Sequence, residues 1–132
     1  MRLYLTERVN YMKNFVEKLE AVMKKGDIAM KKHAVETVKK TLYCIAGSGS
    51  ATWEELTYTG VLCLRMMANN SVSMVDRDLF AKVYCRIMLY CVTHLKRQEL
   101  ERFDALTSAV MEECSSGLRE FTNNNHRSSG RY

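Results

Sequence analysis

Proline is absent from all 132 residues and only six are glycine. With the usual interrupters of helices missing, long helical segments are the expected architecture. No apolar run approaches the roughly 18 residues that span a bilayer. Met1 to Asn10 carries Arg2, Glu7 and Arg8, where a signal peptide needs an apolar stretch. These absences lead us to expect an intracellular chain, cytoplasmic or nuclear, with no signal peptide and no transmembrane segment.

Catalytic signatures are missing as well. No HExxH, GxSxG, P-loop or GxGxxG pattern occurs, and His33, His94 and His126 stand apart from one another. Cys91 and His94 are three apart and could meet on a helix face, but no oxyanion hole is announced for such a dyad. No CxxC or paired His/Cys spacing suggests zinc. The expectation is a protein without catalytic, cofactor-binding or metal residues, taking no cofactor and no small-molecule substrate. Cys44, Cys63, Cys85, Cys91 and Cys114 make an odd count at wide spacings among apolar neighbours. That pattern fits reduced thiols in cytosol or nucleus better than a disulfide framework.

Acids are scarce in one part of the chain. The first 50 residues hold ten Lys and Arg against five acids, whereas Ala51 to Tyr132 balances ten against ten. Between Lys24 and Lys40, six lysines meet only Asp27 and Glu36. At about 100° per residue, Lys32 and Lys39 fall one above the other, Lys40 points away from the apolar arc, and Lys31 lies within it. Lys24 and Lys25 sit at a turn. The candidate basic edge is therefore Lys24, Lys25, Lys32, Lys39 and Lys40, either a solvated face that keeps the chain soluble or a surface for an acidic protein, a nucleic acid or an anionic lipid. No aromatic interleaves the lysines in sequence, which argues against base stacking.

Periodicity supplies the elements. Leu5, Val9, Met12, Val16, Leu19 and Met23 are spaced 4, 3, 4, 3, 4, a helix with a narrow apolar seam. Gly26 and Asp27 then stop it and cap the next, so the first two helices should form an antiparallel hairpin. The second, about 28 to 46, carries Ile28, Val35, Val38, Leu42 and Ile45 on one arc. Gly47-Ser48-Gly49-Ser50 reads as a flexible link and has the look of an engineered linker, so it could replace a native loop or join two segments. Thr52-Trp53-Glu54-Glu55 is a capping box that opens a third helix running to about Ala68. Arg65 is the only charge from Leu56 to Met67, which marks this helix as the central one.

Ser73 or Asp76 can cap a fourth helix, about 75 to 95, with Phe80, Val83, Tyr84, Ile87, Cys91 and Leu95 inward. A fifth, about 98 to 114, places Leu100, Phe103, Leu106, Val110 and Cys114 on one side. A restart past Ser115-Ser116-Gly117 would present Leu118 and Phe121. Thr122 to Tyr132 is polar and is expected to be a disordered tail. The fold class is all-α: a single-domain bundle of about five helices over residues 1–121. The nine methionines are an unusually high number whose flexible thioethers fill irregular cores as readily as they line adaptable grooves, and Met66, Met67 and Met74, which flank the Asn69-Asn70 turn, are the candidates for exposure. Together with the Leu5 to Met23 seam they form the candidate apolar interface.

Leu89-Tyr90-Cys91-Val92, with His94 following, resembles a helix of lentiviral matrix proteins, small helical domains with a basic, membrane-facing edge. Arg2 stands where that family has an acylated glycine, and the Gly-Gly-Lys-Lys run is missing, so no residue carries over. The functional expectation rests on the residues themselves. It is a non-enzymatic protein-interaction or assembly module, regulatory or viral accessory in type, that acts by helix-face docking, with self-association as one form this could take. The alternative is nucleic-acid or anionic-membrane binding through the basic edge.

Overall fold

A computed structural model describes Glu17 and residues 29 to 129. These form α1 (Ala29–Tyr43), α2 (Trp53–Ala68), α3 (Met74–His94), α4 (Arg97–Glu113) and α5 (Ser115–Ser129), with no strand among the described residues. The seam from Leu5 to Met23, and the hairpin it was expected to make, lie outside the described residues.

Local chemistry sets the helix starts. Thr52 Oγ1 accepts from the Glu55 amide at 3.2 Å, and Glu55 Oε1 accepts from the Thr52 amide at 3.2 Å. Two of the four orphan donors at the head of α2 are thus satisfied, as the Thr-x-x-Glu spacing predicts. That backbone N–H, together with the Thr52 hydroxyl, holds the Glu55 carboxyl below its ordinary range. For α3 the cap is Ser73, whose Oγ accepts from the Asp76 amide at 3.3 Å. At the other end of α1 the helix widens into a π-helical turn, Cys44–Ser48. Gly47 leaves it at φ 97°, a left-handed conformation that a Cβ would strain. The expected Gly-Ser link therefore begins as the end of a helix.

The helix α2 is the axis of the fold and touches every other described helix. Leu56, Thr59, Cys63, Leu64 and Met66 are all buried. Gly60 faces the Phe103 ring of α4, where an added Cβ would make an ordinary 3.5 Å contact. Thr59 Oγ1 donates to the Glu55 carbonyl at 2.9 Å, so the 2.7 Å contact between Thr41 and Thr59 has Thr41 as donor. One buried polar pair thus fixes α1 to α2 with its hydrogen-bonding capacity used. Of the predicted inward sets, Val35, Val38 and Leu42 of α1, Ile45 in the π-helical turn, and Phe80, Val83, Tyr84, Ile87 and Cys91 of α3 are buried, Leu95 just past α3 is half-buried, and Ile28 lies outside the described residues.

Two expectations need correction. On α4 it is Thr107, and not Leu106, that enters the core; Leu106 is 48% exposed. Measured from Phe103, Thr107 lies at roughly +40°, Val110 at −20° and Cys114 at +20°, whereas Leu106 lies at −60°, beyond the seam. The Thr107 hydroxyl is satisfied there by donating to the Phe103 carbonyl at 2.8 Å. The second correction concerns the expected disordered tail, 122–132: α5 continues through Thr122 as far as Ser129. Phe121 is buried as its last apolar residue, and the Thr122 hydroxyl donates to the Leu118 carbonyl at 2.9 Å one turn back.

A buried cation fastens α5. Arg77 is 2% exposed. Its Nε donates to the Met67 carbonyl at 2.7 Å and one terminal nitrogen to the Gly117 carbonyl at 3.3 Å. The other terminal nitrogen lies 3.7 Å from Glu120, and the guanidinium lies 5.2 Å from the Phe121 ring centroid. One side chain therefore ties the end of α2, the start of α3 and the first turns of α5. Gly117 is the position that permits this approach, since a Cβ there would come within 2.0 Å of the Ala68 carbonyl oxygen.

Candidate interaction surfaces

The described part of the basic edge runs along the outside of α1. Lys32, Lys39 and Lys40 are exposed, while Lys31 is half-buried, as its place in the apolar arc requires. Lys24 and Lys25 lie outside the described residues. The edge is less positive than its sequence suggests. Lys40 Nζ is 3.5 Å from the Glu55 carboxylate, and Glu36 is exposed one turn from Lys32. What the sequence concealed is aromatic surface. Tyr43 is exposed one turn beyond Lys39, and Tyr58 arrives from α2 to meet His33, with Nε2 and the phenol oxygen 2.6 Å apart. Only packing of two helices brings that pair together.

The candidate apolar interface fares differently. Leu5, Val9, Met12, Val16, Leu19 and Met23 lie outside the described residues. Met66 is 2% exposed, so its place in an exposed apolar interface is corrected: it faces into the core from α2. Met67 and Met74 are half-buried, and Arg77 engages both, through the Met67 carbonyl and through Met74 Sδ at 3.6 Å. The Asn69-Asn70 turn is no methionine groove, because α5 packs against the end of α2 beside it.

Exposed apolar surface instead lies on α3. Leu89 is 62% and Val92 63% exposed, and three residues apart they share one face of the helix. Cys85, one turn before Leu89, is exposed too. Measured from the buried Ile87, Leu89 lies at about 200° and Val92 at about 140°. The signal was present in the sequence: once Phe80, Val83, Ile87 and Cys91 are assigned inward, Leu89 and Val92 must point out. The chain from Leu79 to Gln98 also contains no acid, but has Lys82, Arg86, Lys96, Arg97 and His94. Balanced charge over the second part of the chain hides this local excess. At the near end of the stripe Lys82 pairs with Asp78 at 3.3 Å.

Cys91 and His94 do not form a dyad. Cys91 is fully buried, and burial pushes its thiol up to about 12. His94 stacks on Tyr90 at a 4.3 Å centroid distance, with Nδ1 3.3 Å from the Tyr90 carbonyl. Burial also raises the thiol of Cys63 and the phenol of Tyr84. The Tyr84 hydroxyl faces Thr107 without reaching bonding geometry, and Asp76 Oδ1 is likewise buried without a partner. Among the described residues no three His, Cys, Asp or Glu side chains converge as a metal site would require. Among them, too, no helix is long and apolar enough to cross a membrane. A shallow recess of about 340 Å³ is bordered by Arg65, Asn69, Glu113 and Gly117. Its two charges already face each other at 3.9 Å.

Comparison with family models, with curated proteins and with solved structures finds no match for this chain.

Proposed function

We propose that this protein is a non-enzymatic interaction module that acts by docking a partner's helix on an exposed face of its own bundle. The observation that carries this reading is the exposed pair Leu89 and Val92 on α3. Two neighbouring aliphatic side chains left in water, on a helix whose opposite face forms the core, are apolar area that a partner can cover. Binding is the chemistry this arrangement offers, since the buried thiols are held protonated and His94 is engaged with Tyr90.

The test compares wild-type protein with Leu89→Ser/Val92→Ser as bait in nuclease-treated extracts of the cells that express it. The expected result is a protein retained by the wild type and lost by the variant, with both baits melting at the same temperature. Retention of the same proteins by both baits would refute the assignment of the docking face.

A second reading keeps the basic edge of α1 as an anion-binding surface for nucleic acid or an anionic membrane. Exposed Tyr43 and Tyr58 beside Lys32 and Lys39 favour it, while Glu36 and the Lys40 pair with Glu55 weaken it. If it holds, Lys32→Glu/Lys39→Glu lowers polyanion binding and flattens its dependence on salt.

A further inference from the structure

We infer that the occupant of the α3 face is an acidic amphipathic helix of a partner protein; this inference rests on the docking reading above. Along the outer side of α3 run Lys82, Cys85, Leu89 and Val92, with Arg86 on one flank, and Lys96 follows two residues past the end of the helix. Lys82 and Val92 are ten positions apart on the helix, a span of about 15 Å, which a partner helix of roughly three turns would match. An apolar pair beside Arg86 and ahead of Lys96 and Arg97, with no acid from Leu79 to Gln98 and Lys82 shared with Asp78 one turn before it, selects a ligand that is apolar at i, i+3 and i+4 and acidic beside those positions.

Other occupants fit less well. A second copy docked through the same face would set the cations of one copy against those of the other, because a two-fold interface pairs a patch with itself. A membrane needs a wide apolar face on a helix lying in the interface. Here α3 exposes three aliphatic side chains, Val75 and, nearly four turns on, the pair Leu89 and Val92, and its other face is committed to the core. The free-energy gain from covering Leu89 and Val92 is the same for any apolar ligand, so the cations decide which ligand is preferred.

The experiment uses the full chain and two synthetic helical peptides with identical apolar residues, one flanked by Glu and the other by Lys. Binding is read by fluorescence anisotropy and located by amide chemical shifts. The expected result is that the Glu peptide binds at least about tenfold more tightly than the Lys peptide at low salt, the gap closing as ionic strength rises. Its shifts should centre on Leu89 and Val92, and Lys82→Glu/Lys96→Glu should invert the preference. Equal binding of both peptides, unmoved by charge reversal but lost in Leu89→Ser/Val92→Ser, overturns the acidic partner and leaves the docking face standing. Absence of binding, or binding indifferent to Leu89→Ser/Val92→Ser, overturns the docking face as well. Two further results overturn the acidic helix. One is light scattering showing a dimer that those serine substitutions dissolve; the other is capture by phosphatidylserine vesicles while both peptides fail to bind.

Discussion

Replacing Arg77 with alanine is the sharpest perturbation of this fold, because one guanidinium holds three helices. Its 2.7 Å bond from Nε to the Met67 carbonyl is charge-assisted and contributes about 1.5–3 kcal/mol. That carbonyl belongs to the last turn of α2, where no intrahelical donor remains to replace the lost one. The 3.3 Å bond to the Gly117 carbonyl and the 5.2 Å approach to Phe121 add smaller amounts, the latter about 0.5–2 kcal/mol. Glu120 is 47% exposed, so the ion pair to it contributes about 1 kcal/mol or less. These interactions share one side chain and do not add fully, so we expect Arg77→Ala to cost about 3–5 kcal/mol. For a chain of this length that loss lowers Tm by roughly 10–20 °C. Arg77→Lys, which keeps the charge but loses the fork, should lie between. Urea denaturation gives the free energy, and hydrogen exchange gives the location, with protection falling in α5 before it falls in α2. A loss below about 1 kcal/mol, or unchanged protection across α5, would show that Arg77 does not fasten that helix.

Gly117→Ala should destabilise by about 1–3 kcal/mol although alanine is the better helix former, since its Cβ meets backbone at Ala68 and the helices must part; thermal melting decides the sign. The capping box predicts an acid-side effect on α2: the folded-state carboxyl of Glu55 titrates below its unfolded value, so its contribution is present above the unfolded value and disappears as pH falls through the folded one. That contribution should be missing in Glu55→Ala, whose stability then depends less on pH in the acid range. Native protein treated with a thiol reagent at neutral pH should react first at Cys85, while Cys63 and Cys91 react only after denaturant is added. Equal rates at Cys85 and Cys91, read by mass spectrometry, would contradict the burial of α3's inner face.

Helix beginnings were the most legible part of this protein. The Thr52 capping box and the Ser73 cap are decided within four residues, so chemistry that acts locally fixes them without reference to the rest of the chain. Inward faces of α1 and α3 were legible for a related reason: a run of apolar residues at helical period can be buried only one way round. The α4 seam was less so, because Leu106 and Thr107 compete for one place and hydropathy favours the residue that geometry excludes. Where the α5 helix ends was also hidden, since its last turns contain only polar side chains.

What sequence by itself determined, then, is an all-helical chain, the caps of its helices and the inner faces of two of them. Tertiary structure decided which surfaces are left over. It buried Met66, drew Met67 and Met74 into the Arg77 cluster, and paired His33 with Tyr58 across 25 positions. It also left Leu89 and Val92 in water amid a basic stretch that whole-chain charge had averaged away. The physical reason is range: hydrogen-bonded caps and helical periods act over a few residues, while exposure depends on which other helices arrive.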